Sequence, residues 1–291
     1  MIIDCHAHLW KKQQGKVDGR DVFALNNGKS NFGGEIRQMM PPYMLNGENT
    51  AEMFLSNMDY AGVSGAVITQ EEIDGNQDGY LVSVKEKYPE RLKICSLYEE
   101  NKPFTLDGFD GVKLCAGRLP TQDLTKHNKV FDQANKEHKF VSIDLADGDR
   151  QTGSFLEMIQ QYPDLRFAIG HFGMVTRDGW HEQIRLARNK NVRIESGGIT
   201  WLFNSEFYPY PSAVRAIKEA AEICGIEKLM WGSDYPRTMV EITYKMSFDF
   251  VLKSTELTEE EKAAFLFENA KSFYGFSDLT ECEKIRNMLE D

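Results

Sequence analysis

Asp4, His6 and His8 hold the densest chemistry in the sequence, within the run Ile2-Ile3-Asp4-Cys5-His6-Ala7-His8-Leu9-Trp10. The apolar, β-branched opening of that run reads as a strand, and strand side chains alternate between faces. Asp4, His6 and His8 are therefore expected on one face, with Cys5 and Ala7 on the other. Two imidazoles at i and i+2 can close on one ion, each nitrogen about 2.0 to 2.1 Å from a zinc. A divalent cation held there would polarise a carbonyl and lower the pKa of water toward about 7.

Further polar residues close apolar runs later in the chain. Val141-Ser142-Ile143 ends in Asp144, Phe167-Ala168-Ile169-Gly170 in His171, and Met230-Trp231-Gly232-Ser233 in Asp234. Taken singly, Asp144 could serve a turn, His171 a buried hydrogen bond and Asp234 a cap before Pro236. Lys113 closes Gly111-Val112-Lys113, while Arg118 and Arg237, just beyond strand ends, could grip a carboxylate through two parallel hydrogen bonds. Glu71 and Glu72 are weaker candidates. Trp201, Phe203, Phe207, Tyr208 and Tyr210 read as a pocket wall or as loop packing.

Behind these residues stands a rhythm of short apolar runs alternating with helical segments. Strands are expected at 66–69, 92–97, 111–115, 140–145, 165–170, 192–195 and 229–232, following the one at the start. Thr50 caps and Gly62 stops a helix with Met53, Phe54, Met58 and Ala61 on its apolar face, and Thr258-Glu259-Glu260-Glu261 is a capping box. The dozen or so residues between the third and fourth strands barely allow a crossover, so that helix should be degenerate. Eight strand-then-helix units indicate an α/β chain folded as one (β/α)8, TIM-like barrel, with its active groups at the C-terminal ends of the strands. No G-x-G-x-x-G follows the first strand, which argues against an open dinucleotide-binding sheet. Strand-end residues of such a barrel converge on one rim.

A single domain over 1–291 is expected. Residues 11–49, polar and rich in Gly and Asn, form an insertion or lid after the first strand, and 278–291 a C-terminal extension. A formal net charge of −11 repels nucleic acid and anionic membrane. With no run approaching the ~20 apolar residues of a membrane span and no basic-then-apolar leader, a cytoplasmic protein is expected. Five scattered cysteines without C-x-x-C spacing suggest core thiols.

With its motifs in view, the chain resembles the amidohydrolase superfamily, in the branch of aminocarboxymuconate-semialdehyde decarboxylase, resorcylate decarboxylases and dicarboxylate lactonases. The resemblance runs from Asp4-Cys5-His6-Ala7-His8 through Gly111-Val112-Lys113-Leu114 and Ile169-Gly170-His171-Phe172-Gly173 to Trp231-Gly232-Ser233-Asp234-Tyr235-Pro236 and Glu268-Asn269-Ala270. It implies that His6, His8 and Asp234 are metal ligands and that His171 contacts substrate or metal. Metal-dependent members usually carry a histidine on the fifth strand; here Asp144 stands there, as a substitute oxygen ligand or as the sign of a weak or absent metal. At Lys113, where more distant members carry a carboxylated lysine, a substrate cation is expected.

These readings combine into a hydrolase that uses one divalent ion, zinc first with manganese or magnesium as alternatives, on a small carboxylated molecule. Asp234 and His171 are its catalytic residues; His6, His8, Asp234 and Asp144 its metal ligands; Lys113, Arg118, Arg237 and Trp201 its substrate contacts. Non-oxidative decarboxylation and a metal-independent lactonase are the alternatives. The partner expected is a small molecule, and homo-oligomerisation is left open.

Overall fold

The computed structural model describes residues 1–283, 285, 286 and 288, so the expected extension at 278–291 lies partly outside the described residues. Eight parallel strands form the barrel wall: β1 (Ile3–His8), β6 (Gly65–Thr69), β7 (Leu92–Leu97), β8 (Gly111–Leu114), β9 (Phe140–Ile143), β10 (Arg166–Ile169), β11 (Val192–Glu195) and β12 (Leu229–Met230). The first and last strands close on each other. Cys5 N–H donates to Trp231 O at 2.9 Å, Asp234 N–H to His6 O at 2.8 Å and His8 N–H to Tyr235 O at 2.8 Å.

Between β1 and the first helix, β2 (Gln14–Val17), β3 (Arg20–Ala24), β4 (Lys29–Phe32) and β5 (Glu35–Gln38) form a separate antiparallel sheet. The sequence expectation had no strands here, yet the signals existed. Asp18-Gly19 and Gly33-Gly34 are two-residue hairpin turns, all four with positive φ (49°, 75°, 65° and 101°), as such turns require.

Helices cover the barrel: α1 (Ala51–Ala61), α2 (Asp78–Lys87), α3 (Asn128–Lys136), α4 (Thr152–Gln161), α5 (Trp180–Leu186), α6 (Ile199–Leu202), α7 (Pro211–Cys224), α8 (Met246–Lys253), α9 (Glu259–Ala263) and α10 (Asn269–Tyr274). Thr50 caps α1 by accepting from Met53 N–H, and Gly62 ends it in the left-handed region at φ 78°. The capping box at Thr258 and Glu261 opens α9. No helix lies between β7 and β8, as the short spacing required. Aromatic side chains Phe273 and Tyr274 of α10 pack beside Ile3, Cys5 and Phe140, so this helix closes the end of the barrel where the strands begin. Among the described residues no helix is long and apolar enough to cross a membrane.

One local expectation fails on the first strand. The register of β1 against β6 shifts between Asp4 and Ala7, the mark of a bulge, and one extra residue reverses which face follows. Cys5 and Ala7 accordingly fall in different apolar clusters. The Asp4 side chain does not join the two imidazoles: it accepts from Ser233 Oγ (2.5 Å), Ser233 N–H (2.8 Å), Tyr244 Oη (2.8 Å) and the backbone N–H of His6 (3.1 Å), tying the first strand to the last.

Candidate metal centre and active site

His6 and His8 do converge. Their Nε2 atoms stand 3.1 Å apart, and His8 Nε2 lies 3.1 Å from Asp234 Oδ1 and 3.5 Å from Glu71 Oε1. One ligand atom from each of these four buried residues falls within 4.8 Å of every other. Tetrahedral ligation at about 2.0 to 2.1 Å places donor atoms roughly 3.3 Å apart, close to the separations of 3.1 to 3.5 Å around His8 Nε2 and shorter than the 3.8 Å between His6 Nε2 and Asp234 Oδ1.

Proton bookkeeping points the same way. His6 Nδ1 sits 2.6 Å from Glu195 Oε1, a contact best made as an N–H donated to a carboxylate, which leaves Nε2 with a lone pair facing His8. Burial pushes this pair toward neutrality, His6 well below the ordinary imidazole range and Glu195 up to about 7. Two imidazole nitrogens and two carboxylate oxygens thus share at most one ring proton on His8 Nε2. A divalent cation satisfies such a donor set, and a buried cluster without one leaves like charges and lone pairs opposed.

The barrel makes room for these groups with glycine. A Cβ at position 197 would lie 2.8 Å from His6 Nδ1, and one at position 170 would lie 2.1 Å from Asp144 Oδ1.

Asp144, expected as a ligand, is not among the four converging residues. Its Oδ1 accepts from Lys113 Nζ at 2.7 Å, and its Oδ2 lies 3.6 Å from His171 Nε2. Burial opposes its ionisation, but Lys113 and His171 outweigh that and hold its carboxyl well below the usual range. Lys113 in turn is fully buried and spends its charge on Asp144 rather than on the cavity. Arg237 is similarly committed: its Nη2 donates to both oxygens of Asp74 at 2.9 and 3.0 Å, and its Nη1 lies 3.8 Å from Glu71 and from Asp234. Of the expected substrate cations, Arg118 stays half-exposed, 3.4 Å from Glu71 Oε2. Trp201 donates its indole N–H to Asp234 Oδ2 at 2.8 Å, fixing the carboxylate whose other oxygen faces His8.

His171 reaches this cluster on strained backbone. Four consecutive residues, His171, Phe172, Gly173 and Met174, have φ of 51°, 51°, 61° and 56°, a left-handed turn that three side-chain-bearing residues rarely share. Phe172 anchors it by full burial against Trp180. The turn delivers the imidazole 4.6 Å from that of His6, with Nδ1 donating to Gly197 O at 2.9 Å. Burial disfavours its charge, but Asp144, Asp234 and Glu195 prevail and raise His171 to about 10. Asp234, also at positive φ (58°), is driven the other way: against the cost of burial, the His8 hydrogen bond and Arg237 lower it to about 2. A protonated imidazole and an ionised carboxylate therefore face one space.

That space is a cavity of about 840 Å³ lined by Glu71, Arg118, Asp144, His171, Trp201 and Asp234, among others. The insertion contributes Phe32, Arg37, Gln38 and Met39 to the same lining. Nothing in the sequence singles out Glu195 or Asp74, and Glu71 is there only a weaker candidate. The only trace of Glu195 was its position as the last residue of a strand.

Comparison with known proteins agrees with this geometry. The Amidohydrolase family profile matches residues 151–276, a span holding His171 and Asp234. An uncharacterized protein of Sinorhizobium fredii, y4mH, is 27% identical over 145 residues, covering 46% of this chain and 47% of that protein, so the chain spans about half the length of the curated relative it matches. A probable 2-pyrone-4,6-dicarboxylic acid hydrolase from Acinetobacter baumannii with citric acid bound superposes with a TM-score of 0.67 at 20% identity, over 94% of this chain and 99% of that one. An amidohydrolase from Burkholderia multivorans with bound zinc gives 0.67 at 13% identity, again over 94% and 99%. At these identities the structural likeness shows the fold alone, a TIM-like barrel.

Proposed function

We propose that this amidohydrolase-like barrel is a metal-dependent hydrolase acting on a small carboxylated molecule. The convergence of His6, His8, Glu71 and Asp234 carries the reading. These residues would hold one divalent ion, with zinc favoured by the nitrogen ligands and manganese admitted by the carboxylates. When bound, the ion supplies Lewis-acid polarisation of the scissile carbonyl and of water. Asp144 does not complete this set in the proposal; it holds His171.

The chain's own groups divide the remaining work. Asp234, ionised and fixed by Trp201, accepts the proton of the attacking water. His171, charged and backed by Asp144, donates a hydrogen bond to the oxygen on which negative charge develops. Arg118, half-exposed at the cavity wall, meets a substrate carboxylate, a role supported by the citric acid bound in the Acinetobacter relative. Decarboxylation is the second reading, favoured by the same charged His171, which could deliver the proton that replaces carbon dioxide.

Elemental analysis of the purified protein, with turnover of a panel of carboxylated lactones and amides before and after chelation, tests the proposal. About one equivalent of metal is expected, with hydrolysis abolished by chelation and restored by zinc or manganese. Full hydrolysis by metal-free protein would overturn it.

A further inference from the structure

A buried polar chain runs from the insertion sheet to one of the candidate ligands. Ser30 Oγ, on β4, donates to Gln13 Oε1 at 2.6 Å, and Gln13 Nε2 donates to Asp74 Oδ1 at 3.1 Å. Asp74 Oδ2 then lies 3.4 Å from His8 Nδ1. Ser30, Gln13, Asp74 and His8 are each no more than 1% exposed, so water does not compete for any link. His8 Nδ1 is at the same time a buried ring nitrogen with no hydrogen-bond partner, and the Asp74 carboxylate is the acceptor it faces.

The backbone binds the same two regions together. Gln14 N–H donates to Asp74 O at 3.1 Å and Lys16 N–H to Glu72 O at 2.9 Å, so β2 is stitched along the loop that carries Glu71 and Asp74. Only glycine permits this approach: a Cβ at position 15 would lie 2.0 Å from Glu72 O, and one at position 75 would lie 2.0 Å from Gln14 O.

We infer that the insertion sheet is a positioning element of the metal centre, acting through Ser30, Gln13 and Asp74 on the orientation and tautomer of His8. The inference rests on the proposed metal-binding role of His8. Gln13 is its pivotal residue, because its amide accepts from the Ser30 hydroxyl through one atom and donates to the Asp74 carboxylate through the other. In the metal-free site the His8 Nε2 proton is shared with Asp234 Oδ1 at 3.1 Å; when a metal takes that nitrogen, the proton belongs on Nδ1, where Asp74 faces it at 3.4 Å. Arg237, which grips both oxygens of Asp74, stiffens the same link. Outer partners of this kind typically change metal affinity about 10 to 100-fold.

Two readouts on Gln13→Met and Ser30→Ala test the inference. Zinc affinity, measured by chelator competition, should fall about 10-fold in Gln13→Met and by a smaller factor in Ser30→Ala. Imidazole nitrogen shifts of His8 in metal-free protein should move between the native chain and Gln13→Met, as Asp74 loses its hold on the ring and the balance of tautomers changes. Ser30→Ala removes one hydroxyl well away from the ion, so it keeps the test open if Gln13→Met fails to fold. Native zinc affinity together with a native tautomer in both variants would overturn the inference. A native chain that binds neither zinc nor manganese but keeps the His8 shift change in Gln13→Met would instead overturn the proposed function and leave the relay standing.

Discussion

Lys113 Nζ lies 2.7 Å from Asp144 Oδ1 in the barrel wall, and the lysine is completely buried. Lys113 is closed off from the cavity, whereas Asp144 lines it with its charge already met by the lysine. The pair's effect is to keep Asp144 ionised beside His171, and so to keep His171 protonated toward the cavity.

Removing the cation should therefore cost stability before it costs binding. Lys113→Met leaves the Asp144 carboxylate with His171 as its remaining cationic neighbour, so the loss should stay at or below the roughly 3–5 kcal/mol of a fully orphaned buried charge, and Lys113→Met with Asp144→Asn should recover most of it. Urea unfolding of the two variants decides the matter. Equal destabilisation of both would mean that Lys113 acts by packing.

The turn at His171 makes a second prediction. Left-handed backbone costs a non-glycine residue about 1 to 2 kcal/mol, and Met174 is only half-buried, so Met174→Gly should raise stability by roughly 1 kcal/mol. Turnover should fall in the same variant as the aim of His171 loosens. A variant less stable than the native chain would locate the strain elsewhere.

How much of this was legible in the sequence depends on how local each signal is. The histidines at 6 and 8 and the carboxylate in Gly232-Ser233-Asp234-Tyr235-Pro236 announce themselves, because each is fixed by its own strand end. Lys113 and Asp144 were also seen, but 31 positions separate them, and no strand-end pattern says that the two charges meet. His6 and Glu195 are 189 positions apart and pose the same difficulty. Glu71 stands beyond the end of β6 beside Glu72, where two adjacent acids look like a solvated pair. Asp4 was misplaced for a different reason: alternation assumes a regular strand, and a bulge leaves no mark in Asp4-Cys5-His6-Ala7. The insertion's sheet, in contrast, was written in Asp18-Gly19 and Gly33-Gly34 and could have been read.

His171 gives the site a pH signature. Its pKa is raised to about 10 from an unfolded value of about 6.5, so its protonated form stabilises the fold. That contribution is complete below about pH 6.5 and is lost as pH rises toward 10. Unfolding of metal-free protein should show stability declining across this window, and His171→Gln should flatten the decline. A slope of the opposite sign would mean that the imidazole is neutral in the folded state.

Asp234 separates the hydrolytic reading from decarboxylation. Its Oδ2 accepts from Trp201 and its Oδ1 faces His8, so the amide of Asn can keep the shape and one oxygen but cannot take a proton. Asp234→Asn should retain the fold and much of the metal while turnover drops by about 10² to 10⁴-fold, the usual cost of losing a general base. If the reaction is hydrolysis, residual activity should climb with pH as hydroxide replaces the missing base. If carbon dioxide is lost without attack by water, no such climb should occur. Turnover within a few-fold of native would take Asp234 out of proton transfer altogether, leaving its Trp201 and His8 contacts as a structural brace.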